Sequence, residues 1–147
     1  MIKYRLLGVI VWLSALCMGF TACDKKETEN NNFAQAIAGT YNGKLLINDS
    51  DGGNAQIVIT RVDDQHATLK MDESIEGIAV KIECRTEVTY SGNLYRVAGN
   101  TTFNMGTVDL PVAVNGTVDK SGKTSILIEV NDVPLMGRIL VTFEGQK

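Results

Sequence analysis

The stretch from Thr107 to Asp119 reads T-V-D-L-P-V-A-V-N-G-T-V-D, and its larger apolar residues fall at every second position. One face of this stretch would carry Val108, Leu110, Val112, Val114, Gly116 and Val118. The opposite face would carry polar residues such as Asp109, Asn115 and Thr117. A period of two predicts a β-strand with one face buried and the other in water.

The same period recurs through most of the chain, from Gly39 onward. Turn-forming sequences separate the runs, among them Asp51-Gly52-Gly53, Ser91-Gly92-Asn93 and Ser121-Gly122. Glycine and asparagine adopt the positive φ angles that tight hairpins require. The pattern predicts eight strands, at about residues 39–48, 55–62, 66–72, 78–90, 93–103, 107–118, 123–131 and 136–144.

The connections between these strands are too short for parallel crossovers, so an antiparallel meander is expected. Eight meandering strands leave two free edges unless the sheet closes on itself. The prediction is therefore an all-β fold, an eight-stranded antiparallel up-and-down barrel, with a β-sandwich as the second choice. A transmembrane barrel is disfavoured because Asp109, Asn115, Glu129 and Glu144 would lie on its outer face.

The inward positions of the strands define the expected core. These are Tyr41, Leu45, Ile47, Ile57, Ile59, Leu69, Met71, Val80, Ile82, Val97, Phe103, Leu110, Val112, Val114, Ile126, Ile128, Ile139, Val141 and Phe143. A barrel of eight strands is either filled by such side chains or wide enough for one small ligand.

The first 22 residues have the features of a lipoprotein signal peptide. Lys3 and Arg5 precede an apolar run that is shorter than a membrane span, and small residues precede Cys23. The sequence Phe20-Thr21-Ala22-Cys23 resembles the bacterial lipobox, which implies cleavage before Cys23 and a lipid on its thiol. Residues 23–37 are then expected to be a lipidated cysteine and a flexible tether, and residues 38–147 the barrel domain.

Cleavage would also change the charge of the chain. Loss of Lys3 and Arg5 takes the formal net charge from −3 to −5, which argues against nucleic acid as a partner. Cys84 would be the one cysteine left free, without a partner for a disulfide and expected to be buried and inert.

Two segments, A-G-T-Y-N-G-K-L from Ala38 and V-P-L-M-G-R-I-L-V-T-F-E-G from Val133, carry a family resemblance. Together with the alternating stretch quoted first, they resemble the calycin-like, or lipocalin-like, β-barrel domains of small bacterial lipoproteins. The resemblance covers about residues 38–145 and implies an eight-stranded barrel on a lipid-anchored chain, with no settled activity or ligand. Similarity to the wider lipocalins implies that Arg138 closes the barrel base over Tyr41 by a cation–π contact.

Residues with catalytic or metal-binding chemistry are sparse. His66, the single histidine, follows two aspartates in a turn and is expected to be solvated there. The acidic stretch Asn48–Gly53 fails the EF-hand spacing, and Asp72, Glu73 and Glu76 are expected in a solvated loop. The sequence lacks the Walker, dinucleotide and nucleophile-elbow motifs. We therefore expect no enzyme, no cofactor and no metal.

Two functions are left open. One is binding of a small apolar ligand in a cavity lined by Tyr95, Val97, Phe103, Val112 and Phe143. The other is a non-enzymatic interaction or inhibitor module that binds an envelope protein or glycan through its loops. Both place the protein on a membrane of the bacterial cell envelope, most simply the outer membrane, held by its N-terminal lipid.

Overall fold

The computed structural model describes residues 32–75 and 77–147, so the predicted signal peptide and Cys23 lie outside the described residues. A short helix, α1, spans Phe33–Ile37. The strands are β1 Gly39–Ile47, β2 Ser50–Arg61, β3 His66–Ile75, β4 Ile78–Ser91, β5 Leu94–Met105, β6 Val108–Asp119, β7 Lys123–Val133 and β8 Gly137–Gln146.

Each strand pairs antiparallel with the next along the chain, and β8 pairs back onto β1. The result is a closed eight-stranded barrel with up-and-down order, which confirms the predicted fold class. The stretch 107–119 forms β6, and its inward residues Leu110, Val112, Val114 and Val118 are buried.

In the first hairpin, formed by β1 and β2, the turn lies nearer the N-terminus than the sequence predicts. The turn consists of Asn48 and Asp49, whose φ angles of 48° and 67° are those that a two-residue hairpin needs. The predicted turn at Asp51-Gly52-Gly53 is wrong, because these residues belong to β2. Gly52 is the extra residue of a β-bulge, since Leu45 pairs with Gly53 while Leu46 pairs with Asp51.

Two residues of the second acidic cluster, Asp72 and Glu73, lie in a strand rather than in a loop, and Glu76 lies outside the described residues. β3 continues to Ile75, so Asp72 and Glu73 are part of it, opposite Lys81 and Val80 of β4. The Lys81 ammonium lies 3.8 Å from the Asp72 carboxylate, and this contact between exposed opposite charges favours the longer hairpin.

The tether was expected to continue to residue 37, but its last five residues form α1 and pack onto the barrel. Ala34 and Ile37 of this helix are fully buried. The Asn32 side chain caps the helix by accepting a hydrogen bond from the Gln35 amide. The compact unit therefore spans Asn32–Lys147, several residues longer than the predicted domain.

The interior of the barrel is a continuous apolar core. Most of the predicted core residues are buried, including Tyr41, Leu69, Ile128 and Phe143 at 1% exposure or less. Four predicted core residues are only partly buried, and they are Ile47, Val80, Phe103 and Ile139. All four lie near the same end of the barrel, which is therefore less well packed than the rest.

Candidate functional site

The barrel has two ends of different character. The plugged end carries α1 and the loops at residues 62–65, 92–93 and 120–122. The open end carries the loops at residues 48–49, 76–77, 106–107 and 134–136.

Helix α1 is held on the plugged end by polar and aromatic contacts. The Ala34 amide donates to the Asp64 carbonyl at 3.0 Å, which ties the helix to the β2–β3 loop. The Phe33 ring lies 5.9 Å from that of Tyr90 and 6.4 Å from that of Tyr95, centroid to centroid. The Lys120 ammonium lies 5.5 Å from the centroid of the Tyr90 ring, which is a cation–π contact. The rings of Phe33, Tyr90 and Tyr95 form an aromatic cluster that helps to hold α1 on the barrel.

A pocket of about 230 Å³ lies beside this cluster. Its lining includes Tyr41, Tyr95, Lys120 and Lys147. Asp119 in the same loop accepts hydrogen bonds from the Ser121 hydroxyl and from the Ser121 and Lys123 amides. These bonds, led by that from the hydroxyl, lower the pKa of Asp119 and order the β6–β7 turn.

Tyr41 and Arg138 lie at opposite ends of the barrel. Asn42 pairs with Gln146 in the β1–β8 ladder and Ile47 pairs with Val141, so Tyr41 is near the plugged end and Arg138 lies beyond the open-end pairs. The cation–π contact between them is therefore not formed. Instead, the buried Tyr41 hydroxyl donates to the Ile37 carbonyl at 2.7 Å, and the closure at this end is made by the helix.

The five residues predicted to line a ligand cavity do not meet around one space. Val97, Val112 and Phe143 are only 0–2% exposed. Their side chains pack against their neighbours and fill the interior of the barrel. Tyr95 lines the pocket at the plugged end, whereas Phe103 is half-buried near the open end.

The side chains of His66 and Cys84, which could be reactive, are constrained by a hydrogen bond and by burial, respectively. The His66 ring nitrogen Nδ1 lies 2.8 Å from Asp63 Oδ1, within hydrogen-bonding distance, and both side chains are partly exposed. Hydrogen bonds from the Gln65 amide and then from the His66 ring lower the pKa of Asp63. Cys84 is buried as predicted, and its burial raises the pKa of the thiol, which disfavours the reactive thiolate. Among residues 32–75 and 77–147, no group of three or more His, Cys, Asp or Glu side chains is placed to hold a metal ion.

The open end concentrates exposed apolar surface. Six large apolar side chains are exposed in the described part of the chain, and five of them surround this end. These five, which we call the apolar rim, are Ile78, Met105, Val108, Leu135 and Met136. Leu135 projects fully into solvent at 108% exposure, with a φ of 69° that is unusual for a leucine.

The apolar rim was not predicted from the sequence as a site. Its strongest signal is the β7–β8 connection Pro134-Leu135-Met136, which places two large apolar residues in a turn where polar residues are usual. Ile78, Met105 and Val108 occupy strand ends, so only the folded barrel brings them to the same end as that turn.

The fold and the two ends define a closed antiparallel barrel with one helix-covered end and one apolar end. No family model matches the chain, and no curated protein matches it. The crystal structure of a "putative outer membrane protein" from Bacteroides fragilis NCTC 9343 is similar, with a TM-score of 0.60 at 16% sequence identity. The match covers 80% of this chain and 53% of that protein, so this chain spans about half of its length. At this identity the similarity shows the barrel fold alone.

No helix in the described part of the chain combines the length and the apolar character needed to cross a membrane.

Proposed function

We propose that the protein is a lipid-anchored, non-enzymatic binding module of the bacterial cell envelope, with a calycin-like barrel, that engages another protein through its open end. The observation that carries this proposal is the clustering of the apolar rim around one end of the barrel. Scattered single apolar residues are normal on protein surfaces, whereas a contiguous cluster marks an interaction site.

The packing of the interior favours the outer surface over a ligand cavity. A small apolar ligand inside the barrel would need space beside Val97, Val112 and Phe143, which are buried by their neighbours. Of the residues expected to line a cavity, Phe103 is the one that reaches the open end. The interaction module is thus the better-supported of the two functions that the sequence leaves open.

The chain enters the barrel domain at the plugged end. Asn32 adjoins α1 at the plugged end, and Cys23 precedes it by nine residues, which span at most ~30 Å. A lipid on Cys23 would therefore attach to the membrane a barrel that the chain enters at its plugged end.

Charge favours a protein over a lipid surface at the open end. Asp49, Asp51, Asp109 and Asp132 lie in or beside its loops, against a single arginine, Arg138. Anionic headgroups would be repelled by this end. A partner with an apolar patch bordered by basic residues would be complementary to it.

The cell-envelope location is supported by the lipobox-like sequence and by the fold of the Bacteroides protein, whose name refers to the outer membrane. We propose that the protein is not an enzyme because the thiol of Cys84 is buried and the ring of His66 is hydrogen-bonded to Asp63.

Site-specific photo-crosslinking in the native cell tests the proposal. A photoreactive residue at Leu135 should give a discrete protein adduct, and the same residue at exposed Thr40 near the plugged end should not. Adding Met105→Asp to the Leu135 variant should remove the adduct, since a charge in the rim opposes apolar contact. Lipid adducts alone, or equal labelling from both positions, would contradict the proposal.

A further inference from the structure

We infer that the partner binds as an extended strand along the free edge of β5, residues 100–105, at the open end of the barrel. This inference rests on the proposed function and specifies how the open end would be recognised. It is carried by the strand registers, which show that several ladders stop short of the open end.

Two seams border the β3–β4 hairpin at the open end, and residues 108–111 of β6 are likewise not paired with residues 131–133 of β7. The β4–β5 ladder ends at Thr86 and Gly99, so residues 78–85 of β4 and 100–105 of β5 are not paired with each other. The β2–β3 ladder ends at Ile57 and Met71, which leaves residues 50–56 and 72–75 unpaired across that seam. The outer part of the β3–β4 hairpin is therefore a two-stranded ribbon between two free edges of the remaining sheet.

Each seam is bridged by one side chain in place of a ladder. The Thr101 hydroxyl donates to the Glu83 carbonyl at 2.9 Å across the β4–β5 seam. The Glu73 carboxylate accepts from the Gln56 amide at 2.8 Å across the β2–β3 seam. Both bridges lie next to the inner ends of the seams, so residues 102–105 of β5, beyond Thr101, have no ladder to β4.

Of the six free edges, that of β5 lacks the features that usually prevent strand addition. Natural sheets protect free edges with charges, prolines or bulges. The β6 edge contains Asp109 and Pro111, and the β7 edge contains Asp132. The β2 edge contains Asp51 and the bulge at Gly52, and the facing edges of β3 and β4 contain charged residues such as Glu73 and Lys81. The β5 edge reads N-T-T-F-N-M, without a charge, a proline or a bulge.

The surroundings of this edge fit an extended strand with apolar side chains. Phe103 and Val80 are half-buried on the two sides of the seam, and Met105 and Ile78 of the apolar rim lie at its outer end. Alternate side chains of an added strand would contact these residues while its main chain pairs with β5. The chain's own residues 24–31 do not fit, because they are polar and join the barrel at the opposite end.

A peptide-binding measurement on the compact unit, residues 32–147, tests the inference. The probe is a fluorescent peptide of alternating valine and threonine with lysines at both ends, and its binding is followed by fluorescence anisotropy. The barrel should bind it, and the same peptide N-methylated at alternate amides should not bind, because main-chain donors carry the interaction. Equal binding of both peptides would overturn the inference.

Matched asparagine variants locate the site. Asn104→Lys places a charge on the free edge, opposite Asp109, and should weaken binding at least tenfold. Asn115→Lys makes the same change on β6, which is paired on both sides, and should leave binding unchanged. Equal effects of the two variants would contradict a β5 site.

Two further outcomes separate the inference from the proposed function. Crosslinking from Leu135 that persists in the Asn104→Lys variant would overturn strand addition and leave the open end as the binding surface. A dimer in sedimentation that Asn104→Lys dissociates would show that the edge accepts a second copy of this chain, which overturns a strand from a partner.

Discussion

At the scale of single residues, Tyr41 links the barrel to its helix. Its ring is fully buried, and its hydroxyl donates to the Ile37 carbonyl. The alternation in β1 is sufficient to predict that Tyr41 faces inward. Its partner was not predictable, because the hydrogen bond depends on how α1 folds back onto the barrel end.

Replacing Tyr41 with phenylalanine should reduce the free energy of unfolding by about 1–3 kcal/mol, because the Ile37 carbonyl is left buried without its donor. Urea denaturation measures this change. Tyr90→Phe is the matched control, since its hydroxyl contacts Asn93 in an exposed bond and its loss should cost little. Equal effects of the two substitutions would contradict the role given to Tyr41.

Because of the Tyr41 hydroxyl, the free energy of unfolding should vary with pH in the alkaline range. Burial raises the pKa of Tyr41 from 10.0 to about 12. Between these values the unfolded chain loses the proton while the folded chain keeps it, so stability is full below pH ~10 and falls as the pH rises toward ~12. The stability difference between the wild-type chain and Tyr41→Phe should therefore shrink over this range. A constant difference in urea titrations across it would contradict the assignment.

In contrast to Tyr41, Arg138 should contribute little to the free energy of unfolding. Since it is exposed at the open end and far from Tyr41, Arg138→Ala should change the free energy of unfolding by no more than about 0.5 kcal/mol. A loss of several degrees in Tm would indicate that Arg138 closes the barrel, as the lipocalin resemblance implies.

At the scale of elements, the strands are largely predictable from sequence, whereas α1 and the first turn are not. Alternation over residues 108–118 identifies β6 within a residue at its ends. Helix α1 has five residues, too few for a clear helical period, and its burial comes from the barrel it covers. The first turn was misplaced because Asp51-Gly52-Gly53 looks like a stronger turn than Asn48-Asp49, although its glycines serve a bulge.

Helix α1 should contribute directly to the stability of the barrel. Ile37→Ala removes a fully buried side chain from the plugged end and should cost about 2–5 kcal/mol. Gln35→Ala, on the exposed side of the same helix, is the matched control and should be nearly neutral. Chemical denaturation of the two variants makes the comparison, and a neutral Ile37→Ala would mean that the helix does not seal the barrel.

At the scale of the whole molecule, closure of the barrel was predictable because eight meandering strands avoid free edges by closing. The seams were not predictable, since they depend on where each ladder ends in space. The candidate site was missed for the same reason, since its five rim residues lie on three different strands and one turn that are far apart in the sequence.

We propose that this barrel functions through its open end and not through its interior. The decisive measurement is native mass spectrometry of residues 24–147, produced in a bacterial host and gently purified. We predict the mass of the chain alone, unchanged by fatty acids, sterols or haem. A reproducible extra mass that organic extraction removes would contradict the claim and indicate a ligand inside the barrel.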